Sequence, residues 1–117
     1  MNNVLRQLAQ QLADFAAVRD WEQFHSPKNL SMALSVEVAE ISEHLQWLTE
    51  QQSRELSPEK KVAIEEELAD AFIYLVRLSD QLDIDLLKAA DKKIAINEVK
   101  YPAEQVRGSA KKYTDYD

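Results

Sequence analysis

The sequence predicts an all-α protein, a four-helix bundle with a short C-terminal tail, and three observations support that class. The 117 residues include one Gly and three Pro, too little turn chemistry for a multistranded sheet. Leu, Ala, Glu, Lys and Gln dominate, and these residues favour helix. Apolar residues recur at steps of three and four, as one buried helix face requires. A chain of this length is expected to form one domain over 1–117, with a core at about 3–101 and a tail at about 102–117.

The first helix is expected from about Asn3 to Arg19, with Val4, Leu8, Leu12 and Phe15 along one face. RDWEQFHSPKN then reads as a loop holding Trp21, Phe24 and His25, closed by Pro27. Helix two should run from about Asn29 to Gln51. In the connector SRELSPEK, Ser57 has the chemistry of an N-cap and Pro58 that of a first helical residue. Helix three is then Pro58–Gln81. Helix four opens after a cap near Asp85 and ends near Tyr101, because Pro102 cannot continue it. The remainder, AEQVRGSAKKYTDYD, is weakly periodic, holds the only Gly and reads as the tail.

Composition narrows the chemistry. With no Cys there is no disulfide and no thiolate metal site, which suits a reducing cytoplasm. A net charge of −7 without a basic stripe argues against a nucleic-acid polymer as partner. It does not exclude a small phosphate ligand, since a bound cation reverses the local sign. No apolar run approaches the roughly 20 residues of a membrane span. The opening MNNVLRQLAQQLADF is periodic rather than built like a signal peptide, so a cytoplasmic protein is expected.

The informative anomaly lies in helix two. Its apolar stripe is Leu30, Leu34, Ile41, Leu45, Leu48, and the position that completes the spacing is Glu37. Helix three repeats the pattern. Ile64, Ala71, Leu78 and Leu82 form a seam flanked by Leu68 and Leu75, and Glu67 interrupts it. Each helix has a second acid three residues on, Glu40 and Asp70, so each presents an i, i+3 acidic pair on a packing face. At ~5 Å and an effective dielectric of ~20, each ionised pair repels by roughly 3 kcal/mol. No Lys or Arg lies in the same stripes, although Arg77, farther along the same helix, could reach Asp70 and Glu67. Acids so placed are protonated, paired or metal-bound. An all-oxygen donor set selects a hard cation, Mg²⁺ with Mn²⁺ as substitute.

Other readings compete with this one. The acids could form a solvated flank of a non-enzymatic helical interaction module. A di-iron bundle needs Glu-x-x-His pairs, and Ile41 stands three residues before His44. In helix four, Leu86, Ala90, Lys93, Asn97 and Lys100 follow one line, so Lys93 and Lys100 are candidates for phosphate oxygens and Asn97 for orienting one. The competing reading is an amphipathic helix whose end reaches solvent.

Four blocks, RDWEQFHSPKNL, EVAEISEHLQW, EEELADAFIYLVRL and KKIAINEVKYP, resemble successive blocks of the MazG-like nucleoside triphosphate pyrophosphohydrolases, particularly the dCTP pyrophosphatase branch. The likeness runs from about Phe15 to Tyr113 and includes the KKYTDY tail. It implies an all-α fold, assembly into a homotetramer (a dimer of dimers), Mg²⁺ dependence, and cleavage of a nucleoside triphosphate to monophosphate and pyrophosphate. By the same likeness Glu37, Glu40, Glu67 and Asp70 fall on metal ligands, and Lys93 and Asn97 on phosphate contacts. Trp21, Trp47 and Tyr74 fall on the nucleotide pocket, and His25 lies within the matched loop. Relatives in this branch can carry a His where this chain has Leu12, which bears on base preference. Glu40 and Glu43 are the candidates to accept the proton of an attacking water, with Glu43 alternatively a solvated surface acid.

Overall fold

The computed structural model describes residues 3–110 and 112–115, so Lys111 and Tyr116 of the tail block lie outside the described residues. The described chain is helical throughout. It contains α1 (Asn3–Val18), a 3₁₀ turn at Glu22–Phe24, α2 (Pro27–Leu45), α3 (Glu50–Arg54), α4 (Pro58–Gln81), α5 (Leu86–Lys100), α6 (Ala103–Val106) and a 3₁₀ turn at Tyr113–Asp115. The expected all-α class is found. The four long helices are those expected, with α3 and α6 as short additions. The chain divides into two compact units, one ending at Ile84 and one beginning at Asp85. No described helix is long and apolar enough to cross a membrane.

Helix boundaries follow capping chemistry. The Ser57 and Asp85 side chains each accept an N–H at 3.1 Å, from Lys60 and Lys88, as expected for N-caps. Helix two begins earlier and ends earlier than expected. Ser26 is its N-cap, accepting from the Asn29 N–H at 3.1 Å, and Pro27 is the first residue of α2 rather than the close of the loop. The expected continuation to Gln51 is broken at Gln46–Thr49. There the Thr49 side chain accepts from Gln52 N–H, and the Gln52 side chain accepts from Thr49 N–H. This reciprocal pair starts α3 as a separate helix, because it satisfies orphan donors that a continuous helix would not leave.

Two C-termini use aspartate where glycine is usual. Asp20 and Asp83 adopt φ of 55° and 54°, and the next residue reaches back, Trp21 N–H to Ala16 O and Ile84 N–H to Ser79 O, both at 2.9 Å. A short polar side chain tolerates this left-handed conformation, and the closing bond fixes where Trp21 leaves the helix.

In the unit ending at Ile84, α4 packs along α2 and against α1. The buried apolar residues are Leu5, Ala9, Ala16, Leu30, Ile64 and Val76. The buried face of α1 is therefore rotated from the expected one: Val4 is 74% exposed, and Leu5 is buried instead. In α4 Ile64 is buried as expected, but near the C-terminal end the buried face departs from the expected seam. Val76, Arg77 and Ser79 are buried there, whereas Leu82 is 47% exposed. A helix that contacts two neighbours buries a wider arc than a single 3–4 stripe describes. In the second unit α5 has no buried residue, and Leu87, Ile94, Ile96 and Val99 are all exposed.

Candidate metal and nucleotide site

The pairing of α2 with α4 brings together the acids that periodicity placed on separate faces. One carboxylate oxygen from each of Glu37, Glu67 and Asp70 lies within 4.8 Å of the other two. Glu40 is within hydrogen-bonding reach of both Glu37 and Glu67. Glu37, Glu40 and Glu67 are half-buried, and Asp70 is exposed. The Oε2 atoms of Glu37 and Glu67 are buried and accept no hydrogen bond. Such orphaned acceptors are costly unless a proton or a cation completes them.

The electrostatics follow from that geometry. Burial, a hydrogen bond shared with Glu40, and the charges of Glu40, Asp70 and Glu67 push the Glu37 carboxyl up from 4.5 to about 7. The hydrogen bond with Glu40, then burial and the Glu40 charge, raise Glu67 as well, while His44 opposes the shift. Carboxylates that cannot all ionise together share protons as a group, so without metal this cluster holds a proton near neutral pH. Arg77, expected within reach of Asp70 and Glu67, turns elsewhere. Its Nε–H donates to His25 Nδ1 at 3.2 Å, and Nη1 lies 3.6 Å from Asp80. Among the described residues no Lys or Arg pairs with the four acids, and the His44 ring reaches them instead, with Nε2 3.7 Å from Glu67 Oε1.

Asp70 also lines a cavity of about 260 Å³ beside the cluster. Leu12, Phe15 and Ile73 supply its apolar wall, Trp21 and Tyr74 aromatic surface, and His25 and Arg77 polar groups. Three of the four expected pocket residues, Trp21, His25 and Tyr74, thus share one cavity. The closure at Asp20 carries Trp21 there, edge-on to Phe15 with ring centres 5.8 Å apart. Trp47 is not among the lining residues and stands 85% exposed in the turn after α2. Glu43 is exposed on α2 and is not one of the three acids that come together. Lys93 and Asn97 are exposed on α5 and Lys100 is half-buried at its end.

Two residues at the site were not singled out for these positions by the sequence. His44 lies seven residues after Glu37, two turns along the same face, and that spacing is the signal for it. Arg77 is buried at 4% exposure, and only its partners reveal its role.

Residues 32–116 match the MazG-like family. The chain is 47% identical over 105 residues to human dCTP pyrophosphatase 1 and 48% identical to the mouse protein of that name, in each case over 88% of this chain. It spans 62% of the length of those relatives. A pyrophosphatase from Archaeoglobus fulgidus superimposes with a TM-score of 0.81 at 37% identity, covering 87% of this chain and 95% of that one. With its family blocks in order and its acidic pairs brought together across two helices, the chain belongs to the MazG-like family.

Proposed function

We propose that the protein is a Mg²⁺-dependent nucleoside triphosphate pyrophosphohydrolase that cleaves dCTP or a related dNTP to the monophosphate and pyrophosphate. The observation that carries this reading is the group of Glu37, Glu67 and Asp70 with two buried, unpartnered oxygens, opening through Asp70 onto an aromatic cavity. The relatives' names point to the same chemistry.

Glu37, Glu40, Glu67 and Asp70 would hold the ion, and the donor set fits: all are hard oxygens, and the orphaned ones need a cation or a proton. Bound there, Mg²⁺ would offset the triphosphate charge and ease ionisation of a water. Glu40, already placed to share a proton with two neighbouring carboxyls, is the better candidate to take the proton of the attacking water. Glu43 is the second candidate. Lys93, Asn97 and Lys100 are assigned to phosphate oxygens, and Trp21, His25 and Tyr74 to the base and sugar. Trp47 is assigned to the nucleotide pocket of an assembled oligomer. We read both compact units as one MazG-like domain, since the family match runs across their boundary. The proposed setting is the cytoplasm.

The direct test is incubation with Mg²⁺ and each dNTP in turn, with pyrophosphate and monophosphate as readouts. Both products should appear, with dCTP among the preferred substrates, and both should disappear in EDTA. Absence of pyrophosphate with every dNTP overturns the reading.

The same proposal includes a homotetramer, a dimer of dimers. Val18 and Val99 are each 80% exposed and Trp47 is 85% exposed, and α5 buries none of its apolar side chains within the chain. Light scattering at micromolar protein should give four times the chain mass. A monomeric mass counts against both the assembly and the assignment of Trp47.

A further inference from the structure

The contact between Arg77 and His25 has a consequence for the cavity that both residues line. Arg77 is nearly inaccessible, and its guanidinium is held on several sides. Nη1 lies 3.6 Å from Asp80, and with its amide oxygen turned inward Gln81 accepts from Nη2 at 3.1 Å and from Nη1 at 3.2 Å. A group so fixed presents Nε–H in one direction, and there it meets His25 Nδ1 at 3.2 Å. An arginine cannot accept, so Nδ1 must be the lone-pair nitrogen of the ring. The imidazole proton then sits on Nε2, which has no partner among the described residues. Burial and the Arg77 charge both lower the His25 pKa, which keeps the ring neutral and this tautomer intact.

We propose that Arg77 is a positioning residue: by donating to His25 Nδ1 it holds His25 as the Nε2–H tautomer, so that the cavity offers a fixed hydrogen-bond donor to an acceptor atom on the edge of a nucleobase. This rests on the proposed triphosphate hydrolysis and adds a base-reading element to it. The donor is set before substrate arrives, so ordering it costs nothing on binding. The contact is made to the base and not to the reacting phosphates, so it acts on binding more than on the chemical step.

Long-range ¹H–¹⁵N correlation NMR of the metal-free, substrate-free protein reads the tautomer directly, with His44 the only other histidine. His25 should carry its proton on Nε2 in the wild type and populate both tautomers in Arg77→Met. Kinetics supply the second arm. Arg77→Met should raise KM for the preferred dNTP about tenfold with kcat little changed, and should leave hydrolysis of the abasic deoxyribose triphosphate within about twofold of wild type. In His25→Gln the amide nitrogen stands in for Nε2–H. That variant should lose less affinity for the preferred dNTP than His25→Asn does, and in its background Arg77→Met should add about twofold at most. His25→Asn, whose amide reaches only the Nδ1 position, should lose the base contact. If Arg77→Met does not fold, the Gln and Asn variants and the wild-type spectrum still decide. A proton on Nδ1 in the wild type, or equal losses in the Gln and Asn variants, overturns the inference. A wild type that hydrolyses no triphosphate overturns the proposed function instead, and the tautomer measurement is unaffected by that result.

Discussion

In EDTA at about pH 8, Glu37→Gln should melt a few degrees above the wild type, and in Mg²⁺ it should release almost no pyrophosphate. The first effect follows from the crowded carboxylates. In the metal-free fold the Glu37 carboxyl is raised from 4.5 to about 7, so the folded state binds its proton more tightly than the unfolded chain does. The stabilisation this confers is present in full below about 4.5 and is lost as pH rises through about 7. Near pH 8 the wild type therefore carries the full repulsion among its acids, while Gln keeps the shape without the charge. Solvent screening reduces the difference to about 1 kcal/mol, roughly 3–5 °C in Tm for a domain of this size. Near pH 5 the advantage should shrink, because wild-type Glu37 is then largely protonated. The second effect follows from losing a ligand. Mg²⁺ should stabilise the variant less than the wild type, since ligand stabilisation scales with affinity for the folded state. Glu67→Gln should behave in the same direction. Thermal melts at both pH values, in EDTA and in excess Mg²⁺, check all of this. An acid that is merely solvated would give a Gln variant within about 0.5 kcal/mol of wild type at both pH values, with its Mg²⁺ response intact.

Lys93→Ala should lower kcat/KM for the triphosphate by about 10²-fold, through both a higher KM and a lower kcat. A cation on a bridging or leaving oxygen strengthens its contact as charge develops there, so its loss falls on the transition state more than on the ground state. Lys93 is exposed on α5, so its removal should leave the melting temperature almost unchanged. Steady-state kinetics beside a thermal melt separate the two roles. Unchanged kinetics would return Lys93 to the solvated face of an amphipathic helix.

Most of the helices were legible because their signals are local. Ser57 with Pro58 and Asp85 marked helix starts through contacts made three residues away, which spacing alone specifies. The same chemistry at Ser26 with Pro27 was equally local, but a proline after an aromatic cluster reads as well for the end of a loop as for the start of a helix. The break after Leu45 was harder to see, since Gln46–Gln51 is compatible with helix until Thr49 and Gln52 cap each other.

The sequence by itself determined that two helices each carry an i, i+3 acidic pair where an apolar residue was due, because helical periodicity is a property of neighbours on one element. Which acids meet was decided by tertiary structure alone. The register of α2 against α4 puts Glu37 beside Glu67 and Asp70, sets Glu40 within reach of both glutamates and adds His44. Arg77 makes the same point from the other side. Along the helix it is a candidate partner for Asp70 or Glu67, about two and three turns away. In the fold it is buried against the loop after α1, 52 residues from its His25 partner in sequence. Spacing along one helix limits which partners a side chain has on its own face. Packing between elements decides which of them it meets, since burial makes an unsatisfied donor or carboxylate costly and so selects the arrangement that completes it.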